Sequence, residues 1–216
     1  MDENLVEAYE HAGLKVRIEY DPMAHEINPR TEWDNFGTMV CFHKRYDLGD
    51  KHDWKSDHYN GWDEVYKMLV DEADAAVIRP LYMFDHGGLT VSMGKTLFQQ
   101  VDADGWDWGQ IGFIYITRQK LLAEFSRVRI TDKLVERVVE IFQGEVETYD
   151  QYLRGEAYAF MVGDDDDDCL ETCCGFYTVE HCKEEAESTA EYIMANRQKA
   201  AAQLLAAQAA MPCCLP

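Results

Sequence analysis

Apolar and polar positions along the chain follow two rhythms that change places several times. In "KVRIEYD", Val16, Ile18 and Tyr20 fall on one side and Arg17, Glu19 and Asp21 on the other. That period of two marks a half-buried strand. Before it, "MDENLVEAYEHAG" reads as an acidic amphipathic turn or helix. The prolines and turn formers of "DPMAHEINPRTEWDN" predict a loop that leads to a second strand, "GTMVCFH". There Met39, Cys41 and His43 share one face, and Val40 and Phe42 the other. After the polar "DLGDKHDWKSDHYN", the stretch "GWDEVYKMLVDEAD" spaces Trp62, Val65, Tyr66, Leu69 and Val70 as an amphipathic helix does.

"AAVIRPLYMFDHGGLTVSM" predicts two strands around Gly87-Gly88, because paired glycines supply the positive φ values of tight hairpin turns. Pro80 requires an edge position or a break. "VDADGWDWG" reads as a loop, and "QIGFIYIT", apolar on both faces, as a central strand covered on both sides. Thr117 is the N-cap expected for a short helix, "RQKLLAEF". A longer helix starts at Thr131 or Asp132, carries Leu134, Val135, Val138, Ile141 and Phe142 as its stripe, and ends before Gly155. "EAYAFMV" is another strand, and "GDDDDD" after it must be solvated. From Thr178 to Ala209 helix formers run without interruption, with a thin apolar face and an Ala-rich second half. Hairpin-like strands and separate helices without alternating βαβ units predict an α+β fold: a largely antiparallel sheet, flanking helices and a long C-terminal helix. The expected organisation is a core domain over 1–178 and a helical appendage over 179–216.

Composition narrows the classes. The 216 residues include 47% apolar side chains, enough for a core and against wholesale disorder. No run approaches the roughly 20 apolar residues of a membrane helix, and the first residues lack the basic start and apolar stretch of a secretory signal. A soluble, cytoplasmic protein without membrane contact is expected. Seven cysteines, including the neighbours Cys173-Cys174 and Cys213-Cys214, do not form a disulfide framework, so reduced thiols are expected. Charge changes the picture most: 41 acidic against 20 basic residues leave −21. Such a field repels nucleic acid and draws in basic surfaces, so no direct nucleic-acid binding is expected. Solubility or adaptation to salt would produce the same composition.

The segments "NPRTEWDNFGTMVCFHKRYDLGD", "YMFDHGG", "WDWGQIGFIYIT" and "EVETYDQYLRGEAYAF" resemble, in order and spacing, a family of uncharacterised accessory proteins encoded by phages and other mobile elements. The resemblance spans about residues 15–178. It implies no particular reaction or cofactor. What it implies is context, since small acidic accessory proteins of mobile elements often interfere with host defence.

Several constellations carry candidate chemistry. His43 as acid or base, Arg45 as an anion grip and Asp34, Asp47 or Asp50 as orienting groups could form a site, joined by Asp85 and His86 from the hairpin turn and by His52, Asp53, Asp57 and His58. No H-E-x-x-H, G-x-S-x-G or Walker spacing accompanies them, and a structured turn beside a sheet explains the same residues. "VDADGWDWGQIG" offers Asp102, Asp104 and Asp107 as oxygen donors but fails as an EF-hand, with Trp106 at position 5, Asp107 at 6 and Phe113 at 12. Cys169, Cys173, Cys174, His181 and Cys182 could ligate zinc, yet no C-x-x-C pair occurs and buried thiols acting as small hydrophobes explain them better. No metal, cofactor or catalytic residue is therefore assigned.

The carboxylates remain. A charge of −21 matches the phosphates of about 36 Å of duplex at one charge per about 1.7 Å, a length comparable with the diameter of a globule this size. Asp102, Asp104 and Asp107, with Asp164, Asp165, Asp166, Asp167 and Asp168, are the candidate acidic surface for a basic groove of a host nucleic-acid-binding complex. Three readings follow: a non-enzymatic acidic inhibitor of such a complex, of anti-restriction or anti-CRISPR type and working by nucleic-acid mimicry; an enzyme or small-molecule binder with a pocket of His43, Arg45, Asp47, Asp85 and His86; or a homo-oligomeric scaffold joined through the C-terminal helix.

Overall fold

A computed structural model describes residues 4–165 and 168–209. In chain order its elements are β1 (Leu5–His11), β2 (Leu14–Tyr20), α1 (Pro29–Glu32), β3 (Thr38–Cys41), α2 (Trp62–Asp71), β4 (Ala75–Asp85), β5 (Leu89–Ser92), α3 (Thr96–Val101), β6 (Trp108–Thr117), α4 (Arg118–Glu124), α5 (Asp132–Arg154), β7 (Tyr158–Gly163), β8 (Cys169–Phe176) and α6 (Val179–Ala209). All strand pairs are antiparallel, and the fold is α+β. No helix among the described residues is long and apolar enough to cross a membrane.

The strands form two sheets rather than one, and the chain divides into two compact units: residues 1–24 with 156–216, and residues 25–155. In the first unit the order is β1-β2-β7-β8. The alternation of "LKVRIEY" buries Leu14, Val16 and Ile18, which meet Phe160 and Val162 of β7. Against this apolar face α6 lays Cys182, Ala186 and Ala190, all fully buried. Their spacing of four makes one stripe, and their small size lets the helix approach closely. The expected appendage is thus, through Ala190, part of this unit's core.

The N-terminal stretch is strand β1 rather than a turn or helix. Ala12 and Gly13, both at positive φ, form a two-residue turn that sets His11 opposite Leu14, and β2 then pairs with the whole segment. Strand β8 had no counterpart in the sequence pattern. Both are edge strands whose residues are exposed or half-exposed throughout, so little alternation is left to read.

The second unit is layered, with sheet order β3-β6-β4-β5 between α5 and α2. Six consecutive residues of β6, Ile111 to Ile116, are buried: Ile114 and Ile116 face α5, and Phe113 and Tyr115 face α2. Strand β3 splits likewise, Met39 and Cys41 toward α5 and Val40 toward α2. Gly112 lies opposite Cys41 in the antiparallel β3–β6 pair, and a Cβ there would lie 1.9 Å from the Val40 carbonyl oxygen. Pro80 lies in β4 beyond the reach of β5, which pairs only with Tyr82 to Asp85, so the strand has a free edge where the proline has no N–H.

Thr117 and Thr131 cap α4 and α5 by accepting the amides of Lys120 and Leu134, as expected. The α5 stripe continues beyond Phe142 to Val146 and Tyr149. On α2 the buried residues are Val65, Met68 and Leu69, whereas Tyr66 and Val70 stay 47% and 41% exposed. The stripe is displaced because Met68, omitted from the periodic set, takes the place next to Leu69.

Candidate functional site

The stretch around residues 28–50 is held by a buried polar network. Asn28 caps α1 and Pro29 opens it, which fixes Arg30 on the inside. The Arg30 guanidinium, 1% exposed, donates from Nε to Asp50 Oδ1 at 2.9 Å and from Nη2 to Asp50 Oδ2 at 2.6 Å and the Gly37 carbonyl at 2.7 Å. Asp50 also accepts the Met39 amide at 2.8 Å. From α5, Glu145 accepts the amides of Phe36 and, at 2.9 Å, Gly37, while the Tyr149 hydroxyl accepts the Gly49 amide at 3.0 Å. These links tie the loop to α1, β3 and α5. Burial and the nearby Asp50 charge push the Cys41 thiol up to about 12, and burial does the same to the Tyr149 hydroxyl.

Past Cys41 the chain leaves the sheet and the candidate polar residues gather. His43 Nδ1 accepts the backbone amides of Arg45 and Tyr46 at 3.4 and 3.3 Å, which places its proton on Nε2. Its ring stacks on Tyr46 at 5.1 Å. The Tyr46 hydroxyl receives a hydrogen bond from Arg45 at 2.8 Å and donates to Asp85 at 3.1 Å; Arg45 and Asp85 are themselves 3.5 Å apart. His43, Arg45 and Asp85 therefore come together, in a depression of about 340 Å³ shared with Asp107 and Trp108. His86 does not line it but pairs with Asp107 at 2.9 Å, and Asp47 turns to a different cavity. Tyr46 thus holds Arg45 and Asp85, His86 holds Asp107, and the backbone turn holds His43 Nδ1.

That other cavity, about 660 Å³, is lined by Phe42, His52, Trp54, Tyr59 and Trp62, with His43, Asp47, Asp57, Lys44 and Lys55 among the polar groups. Phe42 is its hub, 4.9 Å from His52, 6.1 Å from Tyr59 and 6.3 Å from Trp62 between ring centroids. His52 Nε2 is 3.0 Å from the Cys41 carbonyl, which orients the ring. The sequence supplied these aromatics, but they lie on a loop and two elements without a shared period, so only the fold gathers them.

The candidate acidic residues are divided between the two units. Asp102, Asp104 and Asp107 belong to the second unit, Asp164, Asp165 and Asp168 to the first, and Asp166 and Asp167 lie outside the described residues. Asp102 is consumed by its own loop: it accepts the amides of Asp107 at 2.8 Å and Gly105 at 3.1 Å, and these bonds hold its carboxyl below the usual range. Arg197 grips Asp164 with two hydrogen bonds, one of 2.7 Å, and lowers its pKa. Asp104 and Asp168 are exposed. The first unit has 18 acidic against 5 basic residues, net −13 over 85 positions; the second has 23 against 15, net −8 over 131.

Cys169, Cys173 and Cys174 are exposed on β8 rather than buried as small hydrophobes, and only Cys182 of that group is inside. No group of three or more His, Cys, Asp or Glu side chains among the described residues is arranged to hold a metal ion. Comparisons with protein-family models, curated proteins and solved structures gave no match.

Proposed function

We propose that this chain is a non-enzymatic binding protein of a phage or other mobile element that occupies the basic nucleic-acid groove of a host defence complex, of restriction or CRISPR type, in place of nucleic acid. The observation that carries the reading is the concentration of carboxylates in the first unit. On α6, Glu180, Glu184, Glu187 and Glu191 recur at intervals of four, three and four, a row of about 16 Å at 1.5 Å per residue. The row lies away from the Cys182–Ala186–Ala190 stripe, and Glu180, Glu184 and Glu191 are exposed. Asp168 and Glu171 add exposed charge from the β7–β8 hairpin. The resemblance of the motifs to mobile-element proteins supplies the context. The test is capture from host lysate with the intact chain and with a variant combining Glu180→Gln, Glu184→Gln, Glu171→Gln and Asp168→Asn. The expected partner binds nucleic acid, releases the protein as salt rises, is displaced by nucleic acid, and is lost with the variant. Capture unaffected by competing nucleic acid and by the substitutions rejects the reading.

The aromatic cavity of the second unit favours a second reading, small-molecule binding. Its 660 Å³ falls within the range of ligand sites, and its rings present flat apolar faces beside a few charged groups. Screening by intrinsic tryptophan fluorescence checks it: a ligand of this cavity changes the emission of the intact chain, and Trp54→Leu abolishes the response. His43→Ala should disturb such a ligand and leave binding through the acidic face unchanged.

A further inference from the structure

The second unit is acidic overall, yet one depression of about 480 Å³ is lined by Arg127, Arg129, Lys133 and Arg137, with Phe125, Val128, Thr131 and Leu134 between them. Among the described residues no carboxylate lines it. The turn from α4 to α5 creates the arrangement. Ser126 adopts a positive φ of 50°, and the amides of Ser126 and Arg127 donate to the carbonyls of Ala123 and Leu122 at 3.1 and 2.9 Å. The chain is thereby thrown outward, leaving Val128 96% exposed with an arginine on each side. On α5, Lys133 and Arg137 are four residues apart and share a face. The neighbouring carboxylates Asp132 and Glu136 each sit one position earlier, rotated about 100° around the helix. Arg137 contacts Glu140 at 2.8 Å, but both side chains are more than 60% exposed, so this pair exchanges readily with a competing anion.

Four like charges around one hollow repel each other, and in a chain of −21 they are the exception to the prevailing field. Three are arginines, whose planar forks match phosphate oxygens in pairs. Phe125 and Leu134 give the floor an apolar patch. We propose that this depression binds a small, multiply phosphorylated ligand, its phosphates held by Arg127, Arg129, Lys133 and Arg137. The site lies within the second unit and stands independently of the acidic-face reading.

The experiment is calorimetry on the full chain at low ionic strength with inorganic tripolyphosphate and, separately, ATP. Tripolyphosphate should bind, and the exposed double substitution Arg129→Ala with Arg137→Ala should weaken it about tenfold or more for the loss of two charge-assisted contacts. Lys51→Ala with Lys67→Ala, removing the same charge at exposed positions elsewhere in the unit, should change affinity far less. Circular dichroism checks that both variants keep the fold. Tighter binding of ATP than of tripolyphosphate would support a ligand whose organic part rests on Phe125 and Leu134; equal binding would support recognition of the phosphates alone. The proposal is overturned if tripolyphosphate gives no binding at millimolar concentration or if the two double variants weaken it equally.

Discussion

Arg30 and Asp50, far apart in the chain, meet as a two-pronged pair with hydrogen bonds of 2.9 and 2.6 Å and close the loop that contains the most distinctive motif of the sequence. The pair holds the loop in position, since Asp50 also accepts the Met39 amide and Arg30 donates to the Gly37 carbonyl. Arg30→Met should cost about 3 kcal/mol, the lower end for removing one partner of a buried ion pair, because Asp50 retains 21% exposure. Urea denaturation of Arg30→Met, Asp50→Leu and the double variant measures it. The double variant should be less destabilised than the sum of the two.

Gly112 gives a sharper test of the β3–β6 pairing. A methyl group there would meet the Val40 carbonyl at 1.9 Å, so Gly112→Ala must separate the two strands. A loss of at least about 2 kcal/mol is expected, as for other overpacked positions. Gly109→Ala, in the same strand with nothing within 4 Å of the added carbon, is the control and should leave the urea midpoint nearly unchanged.

Alkaline pH should destabilise the protein before any backbone damage. Burial raises the Cys41 thiol from 9.0 to about 12 and the Tyr149 hydroxyl from 10.0 to about 12. Unfolded, both groups lose protons near their ordinary values while the native state keeps them, so the unfolded chain binds fewer protons. Stability is therefore intact below about pH 9 and declines toward pH 12, by up to about 1.4 kcal/mol per pH unit for each group in its window. Tyr149→Phe should flatten the part that begins near pH 10 in denaturation curves taken across this range.

Thiol labelling separates the cysteines by position. Cys169 and Cys173 are exposed and should react with iodoacetamide in the native protein. Cys41 and Cys182 are buried with thiols pushed up to about 12, and should react only on unfolding. Cys174 is exposed, but partial desolvation raises its thiol, so it should lag behind Cys173. Peptide mapping by mass spectrometry with and without urea reads all five.

The last turns of α6 test the scaffold reading. Residues 195–207 are exposed throughout, including Leu204 and Leu205 at 62% and 66%. Ending the chain after Met194 removes the solvent-facing Arg197–Asp164 pair, worth about 0–1 kcal/mol, and the thermal melt should barely move. Ala186→Glu, which places a charge under the helix against Val16 and Phe160, should unfold the first unit. A loss of mass in light scattering beside an unchanged melt for the truncated chain is what assembly through this helix requires.

Local pattern alone determined a good deal of this protein. The alternation of Leu14, Val16 and Ile18, the doubly apolar run at Ile111–Ile116, the caps at Thr117 and Thr131 and the α5 stripe are all legible because period, burial and capping act over a few residues. Charge is equally legible, being a sum over composition. Tertiary structure alone decided the rest. Strands β1 and β8 exist because β2 and β7 offer them partners, and the division into two units joins residues 1–24 to 156–216 across the whole second unit. Arg30, Asp50 and Glu145 become one network, Phe42, Trp54 and Trp62 one cavity, and Arg127, Arg129, Lys133 and Arg137 one basic hollow. The first two depend on side chains meeting across sequence distances at which no periodicity operates, and the third on the turn at Ser126, which brings Arg127 and Arg129 to the helix face of Lys133 and Arg137.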